Sequence, residues 1–126
     1  MKYLNIEEIE DIEKKIDYVF NNKDLISKVF IHKSIDYINN NTKYELLGDK
    51  IINLYIMVNI FDICNNADML HNNYKNLISN SIFSKGFNYE LRKYIKCTDI
   101  VRNNFKDNCK IDANIFECLI AIIMII

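Results

Sequence analysis

The sequence predicts an all-α domain, on three observations. Proline is absent and glycine occurs only at Gly48 and Gly86, whereas a sandwich or barrel needs many Gly and Pro turns. Apolar residues recur at three- and four-residue spacing along most of the chain, the period of a helix with one buried face. Asparagine clusters interrupt that period at Asn21-Asn22, Asn39-Asn40-Asn41, Asn65-Asn66, Asn72-Asn73 and Asn103-Asn104, as short polar loops do.

Each element follows from its own pattern. Ile9, Ile12, Ile16 and Val19-Phe20 predict a first helix from Ile6 to Phe20. Asp24 is the expected cap of a second, with Leu25, Ile26, Val29 and Phe30 as its apolar face. A polar loop covers Asn39 to Thr42, and a long helix runs from Lys43 to Phe61. Further helices are expected over Met69–Phe83 and, shorter, Tyr89–Ile95. After the polar stretch Arg102 to Lys110, a last helix starts near Asp112.

The 126 residues make one domain, 1–126, with no linker or internal repeat. Half of them are hydrophobic, which excludes a disordered tail. The longest apolar run, Cys118 to Ile126, has nine residues and is too short to span a bilayer, so no membrane partner is expected. Glu7, Glu8, Glu10 and Asp11 exclude a secretory signal at the N-terminus. Cys64, Cys97, Cys109 and Cys118 show no C-x-x-C spacing, and His32 and His71 are the only histidines. That argues against zinc and for reduced, buried thiols in an intracellular protein. The 24 Ile and 19 Asn mark a biased composition, so each carries less chemical meaning than usual.

The Lys43–Phe61 helix is the informative one. At 100° per residue, Leu47, Ile51, Leu54, Tyr55 and Val58 share one face, and Glu45, Asp49, Ile52 and Ile56 another. Only a strip with Lys50 and Asn53 is clearly polar. A helix apolar on most sides is sandwiched between partners, so Glu45 and Asp49 lead into an isoleucine stripe. Two like charges one turn apart repel, and beside apolar surface they need a positive partner. A divalent metal, a lysine from elsewhere, or Lys50 folding back would each serve. Gly48 lies between them, where glycine costs about 1 kcal/mol relative to alanine. It indicates close approach by another backbone or helix, or else a neutral substitution.

The last helix repeats the theme. Asn114 and Glu117, three residues apart, are its only strongly polar side chains as far as Ile126. If the two polar spots face each other, Glu45, Asp49, Asn114 and Glu117 form an oxygen-rich cluster suited to Mg²⁺. Structural acid–lysine pairs are the commoner explanation of such clusters.

Four segments, in order, resemble one family. Tyr44-Glu45-Leu46-Leu47-Gly48-Asp49-Lys50-Ile51 is similar to the signature helix of the ribonuclease III family. Val29-Phe30-Ile31-His32-Lys33-Ser34 and Leu77-Ile78-Ser79-Asn80 resemble its flanking segments. Lys110 to Ala121 resembles its last catalytic helix. The resemblance implies an all-helical endonuclease domain that forms a homodimer, with one acidic site per protomer in a valley that holds double-stranded RNA. By position, Glu45, Asp49 and Glu117 match metal-coordinating, catalytic carboxylates, and Asn114 stands where the family has an aspartate. The implied activity is Mg²⁺-dependent phosphodiester hydrolysis, with Mn²⁺ as a substitute, leaving 5′-phosphate and 3′-hydroxyl ends.

The departures are specific. Asn114 offers a carbonyl oxygen but no charge. Thr42 stands where the family has a supporting acid, and another supporting acid falls near Asn66-Ala67, with Asp68 close by. The chain is thus an attenuated enzyme, a binding-only relative that binds RNA or dimerises with an active partner, or a site disarmed by an engineered Asn114. A helical protein–protein module with coincidental motifs is the alternative outside the family. Leu46 takes the place of the phenylalanine that enters the partner's socket, and Gly48 is expected at the same dimer seam. His32 matches a structural histidine; His71 has no counterpart and is expected to be exposed. Residues 71–110 carry eight Lys and Arg against three acids. Lys75, Lys85, Arg92, Lys93, Lys96, Arg102 and Lys106 are candidate phosphate contacts, or simply a solvated surface. Residues 1–126 hold no counterpart of the family's C-terminal double-stranded-RNA-binding domain. The family's last catalytic helix continues beyond the position of Ile126, so the expectation is either a truncated C-terminal end or an end covered by the partner.

Overall fold

A computed structural model describes residues 3–78, 87, 89–105 and 109–124. Helix α1 covers Ile6–Ile16, α2 Lys23–Val29, α3 Thr42–Phe61 and α4 Ala67–Leu77. A 3₁₀ helix follows at Tyr89–Tyr94, then α5 at Asp99–Asn103 and α6 at Cys109–Met124. The described residues contain no strand, only an isolated parallel bridge between Ile31 and Lys96. The all-α class is as expected. No helix among the described residues is long and apolar enough to cross a membrane.

The helix ends show what spacing alone misses. At α1, Asn5 accepts from Glu8 N–H at 2.8 Å, and the Glu8 carboxylate accepts from Asn5 N–H at 3.0 Å, a reciprocal cap. The helix ends at Ile16, four residues before the expected Phe20, because Asp17 adopts the left-handed conformation (φ 56°). Asn22, not Asp24, caps α2, accepting from Asp24 N–H at 3.0 Å. Asn66 caps α4 through Met69 N–H at 2.8 Å, so α4 begins ahead of Met69. The expected end of that helix, at Phe83, lies outside the described residues. Helix α6 begins at Cys109, ahead of Asp112, and α5 was not anticipated.

Helix α6 lies at the centre. Ala113, Ile115, Cys118 and Ala121 are fully buried; the last three pack with Ile12, Ile26, Val29, Phe30, Leu91 and Ile95, and Ala113 packs with Ile52 of α3. Burying a side chain of this size contributes about 1.5–3 kcal/mol. Helices α2 and α3 both pack on α6, α3 most extensively. Buried polar groups are paired, as burial demands. Asp112, 1% exposed, accepts from Arg92 Nε at 2.9 Å and from Arg92 Nη2 as well, fastening the 3₁₀ helix to the first turns of α6. Asn41 donates to Val29 O at 3.1 Å, while its own carbonyl accepts from the Cys118 thiol at 3.2 Å. Burial pushes that thiol's pKa up, keeping it protonated and inert. Cys64 and Cys97 are also free thiols, but half-buried rather than buried as expected.

Candidate active site

Helix α3 meets α6 at Gly48. A β-carbon there would lie 1.7 Å from the backbone oxygen of Glu117. No side chain fits, so Gly48 is what lets the two helices approach. The expected close approach is present, but its partner is α6 of the same chain. The expectation that Gly48 sits in a dimer seam is therefore corrected: its face is already filled. Leu46, by contrast, is 63% exposed.

This contact brings the four anticipated positions together. Glu45, Asp49, Asn114 and Glu117 line one cleft of about 380 Å³, with Thr42, Leu46, Lys33 and Lys110 at its edges. Glu117 is buried, and its carboxyl hydrogen-bonds to Asp49. Burial first, then the charges of Asp49 and Glu45, push the Glu117 pKa up to about 8. Burial also raises Glu45, against the pull of Lys110 and Lys33. One terminal atom of Asn114 lies 3.1 Å from both Glu45 Oε1 and Lys110 O. As the amide NH₂ it donates to both; as the oxygen it would face two acceptors. The donors thus fall into two couples, Glu117 with Asp49 and Asn114 with Glu45.

Among the described residues, no three His, Cys, Asp or Glu side chains converge as a ready metal site. The donor chemistry nevertheless fits a hard cation: three carboxylates and an amide, all oxygen ligands, crowded so that their charges repel. A cation would replace the proton of Glu117 and the amide contact to Glu45.

Two features went unread in the sequence. Asn53, placed on the polar strip, donates to Asp49 Oδ2 at 3.3 Å, and its own Oδ1 is buried without a partner. Its signal was the i,i+4 spacing from Asp49. Lys33 and Lys110 edge the cleft, and nothing in the helical periodicity places a residue from the 30s loop there. Lys50 approaches Asp49 only loosely, at 3.7 Å and 71% exposed. His32 is the hydrogen-bonded loop residue expected, held by Ser34, and His71 is exposed. Four of the candidate phosphate contacts are otherwise engaged: Arg92 with Asp112, Lys93 with Asp11 at 4.0 Å, Lys96 with Glu8 at 3.8 Å, and Arg102 with the Ile95 carbonyl and the Phe105 ring. Lys85, Lys106, Ser79 and Asn80 lie outside the described residues.

Residues 42–125 match the sequence model of the ribonuclease III domain. The chain belongs to the ribonuclease III family. Ribonuclease 3 of Pelagibacter ubique is 30% identical over 115 residues, covering 89% of this chain and 52% of that protein. Ribonuclease 3 of Wolinella succinogenes is 41% identical over 51 residues, 40% of this chain and 21% of that protein. The chain spans about half the length, or less, of these curated relatives. The ribonuclease III nuclease domain of Campylobacter jejuni superposes with a TM-score of 0.78 at 28% identity, over 94% of this chain and 84% of that one. A second structure of that domain gives 0.77 at 27% identity, over 94% and 82%. A region of the Campylobacter domain is described as involved in dimer formation.

Proposed function

We propose that this ribonuclease III-family chain is an endoribonuclease domain that cuts double-stranded or structured RNA as a homodimer, one acidic site per protomer, with Mg²⁺. The observation that carries the reading is the single cleft in which Glu45 and Asp49 of α3 meet Asn114 and Glu117 of α6. Those residues would hold the cation, with Mn²⁺ as a substitute. When bound, it would supply charge stabilisation for phosphodiester hydrolysis. The chain's own residues contribute the rest. Gly48 sets the helix separation, Asn53 orients Asp49, and the buried Arg92–Asp112 pair fixes the first turns of α6. The exposed apolar side of α3, including Leu46, Leu54, Tyr55, Val58 and Phe61, supports dimerisation.

Asn114 favours a second reading, a non-catalytic relative that binds RNA or pairs with an active partner. Its amide donates to Glu45 in the same position where an aspartate would repel it. An aspartate adds a charge to the cation's shell, so Asn114→Asp is expected to tighten Mg²⁺ binding by at least about tenfold, roughly 1.4 kcal/mol. The test incubates duplex RNA with wild type, Glu117→Ala and Asn114→Asp, in Mg²⁺ and in Mn²⁺. Slow cleavage by wild type, faster in Asn114→Asp and lost in Glu117→Ala, is the expected outcome. Cleavage by Asn114→Asp alone selects the second reading. No cleavage by either sinks the nuclease assignment.

A further inference from the structure

Beside the carboxylate cleft lies a second cavity of about 250 Å³, where His32, Asn41 and Ile111 take the place of Leu46, Asp49 and Glu117. Lys33, Thr42, Glu45, Lys110 and Asn114 border both spaces, and His32 lines only the second. The His32 ring is set by its neighbours. Ser34 N–H donates to Nδ1 at 3.1 Å, and the Ser34 hydroxyl, which accepts from Thr98 N–H at 3.1 Å, lies 2.8 Å from the same nitrogen. Nδ1 is therefore an acceptor, and the ring carries its proton on Nε2. The backbone is held too, with His32 N–H donating to Lys96 O at 2.9 Å. One carboxylate faces two ammonium groups and an imidazole N–H around the cavity. Both ammonium groups act on Glu45, pulling its pKa down against burial.

We propose that the cavity walled by His32, Lys33 and Lys110 is an anion subsite that takes a phosphodiester group adjoining the one presented to Glu45, Asp49, Asn114 and Glu117. The anion site rests on this cavity alone; only the naming of RNA as its source rests on the nuclease reading. Glu45 repels the anion and so sets its position, on the His32 side of the shared wall. An RNA strand laid across the wall would place one phosphate on each side. Ammonium groups hold phosphates as point charges, without reading sequence.

Two measurements test this and separate it from the nuclease assignment. The first titrates inorganic phosphate while the histidine ring signals are followed by NMR. With only His32 and His71 in the chain, and His71 exposed on α4, each reports separately. Phosphate is expected to move His32 and leave His71. Lys33→Gln is expected to weaken that response about tenfold, and Lys33→Arg to keep it. The second measures duplex-RNA binding in EDTA between about 50 and 200 mM salt. Lys33→Gln is expected to flatten the salt slope by about 1, and the α1 surface variant Lys14→Gln to leave it unchanged. A His32 signal indifferent to phosphate overturns the subsite, and so does an unchanged salt slope in Lys33→Gln of a protein that cuts RNA. A phosphate response in a protein that leaves RNA intact upholds the subsite and removes the nuclease reading.

Discussion

At the residue scale, Gly48 shows how one position ties stability to the site. Its missing side chain is replaced by the backbone oxygen of Glu117. An alanine β-carbon would meet backbone rather than a movable side-chain tip, so the two helices must part. Overpacking of this kind costs about 1–3 kcal/mol, at the upper end where backbone rather than a side chain must move. Gly48→Ala is therefore expected to lower the urea midpoint sharply and to abolish cleavage together with it. A loss of unfolding free energy of less than about 1 kcal/mol would mean the helices do not touch there. Half of this was legible in the sequence. A glycine between two acids in a good helix signals a close neighbour through its propensity penalty. Which neighbour was not legible, because periodicity records that a face is buried and not what buries it. The same limit applies to Asn114: its spacing from Glu117 put it in the cluster, but its hydrogen bond to Glu45 depends on amide orientation.

At the element scale, the long helices were legible and their ends were not. Helix α3 matches its expected span within a residue, because its apolar pattern is long and dense. Helix α1 ends early because Asp17 turns left-handed and Glu13 reaches forward over the turn. Glu13 Oε2 accepts from Phe20 N–H at 2.6 Å and from the Lys23 ammonium, joining α1 to the start of α2. With 19 asparagines in the chain, those acting as caps could not be told from those that do not. Spacing alone makes Asp112 a helix start and Arg92 a phosphate contact, whereas the half-buried Arg92 neutralises the buried Asp112. The Glu13 link carries a pH signature. Its hydrogen bond to Lys23, then the one from Phe20, hold its pKa below the ordinary 4.5 against burial. Between the two values the unfolded chain binds more protons, so stability rises with pH there. The contribution is complete above 4.5 and is lost as pH falls through the folded value. Glu13→Gln is expected to cost about 1–3 kcal/mol near neutral pH, with the gap to wild type closing in acid. Urea melts across that range measure it, and a gap that stays constant with pH would show that the charge of Glu13 is irrelevant.

At the scale of the whole molecule, α3 presents a discrepancy that one chain does not resolve. Its sequence is apolar on most sides, yet within the protomer only Tyr44, Gly48 and Ile52 are buried. Leu54, Tyr55, Val58 and Phe61 are each more than 60% exposed. Soluble proteins rarely leave such a row uncovered, and the exposed row lies on the helix that carries Glu45 and Asp49. Covering it with a second copy would seat two acidic sites on one assembly, the arrangement needed to cut both strands of a duplex. The double variant Leu54→Asp/Val58→Asp puts two charges into that face and none into the cleft. Light scattering is expected to give wild type about twice the protomer mass of 15.0 kDa and the variant the protomer mass itself. The variant should still fold, because neither side chain contributes to the buried core. Duplex cleavage should fall with dimerisation, while the phosphate response of His32, which needs only residues of one chain, should survive. A wild type that stays at 15.0 kDa at every concentration would leave this face to some other partner and would remove the basis for paired cuts.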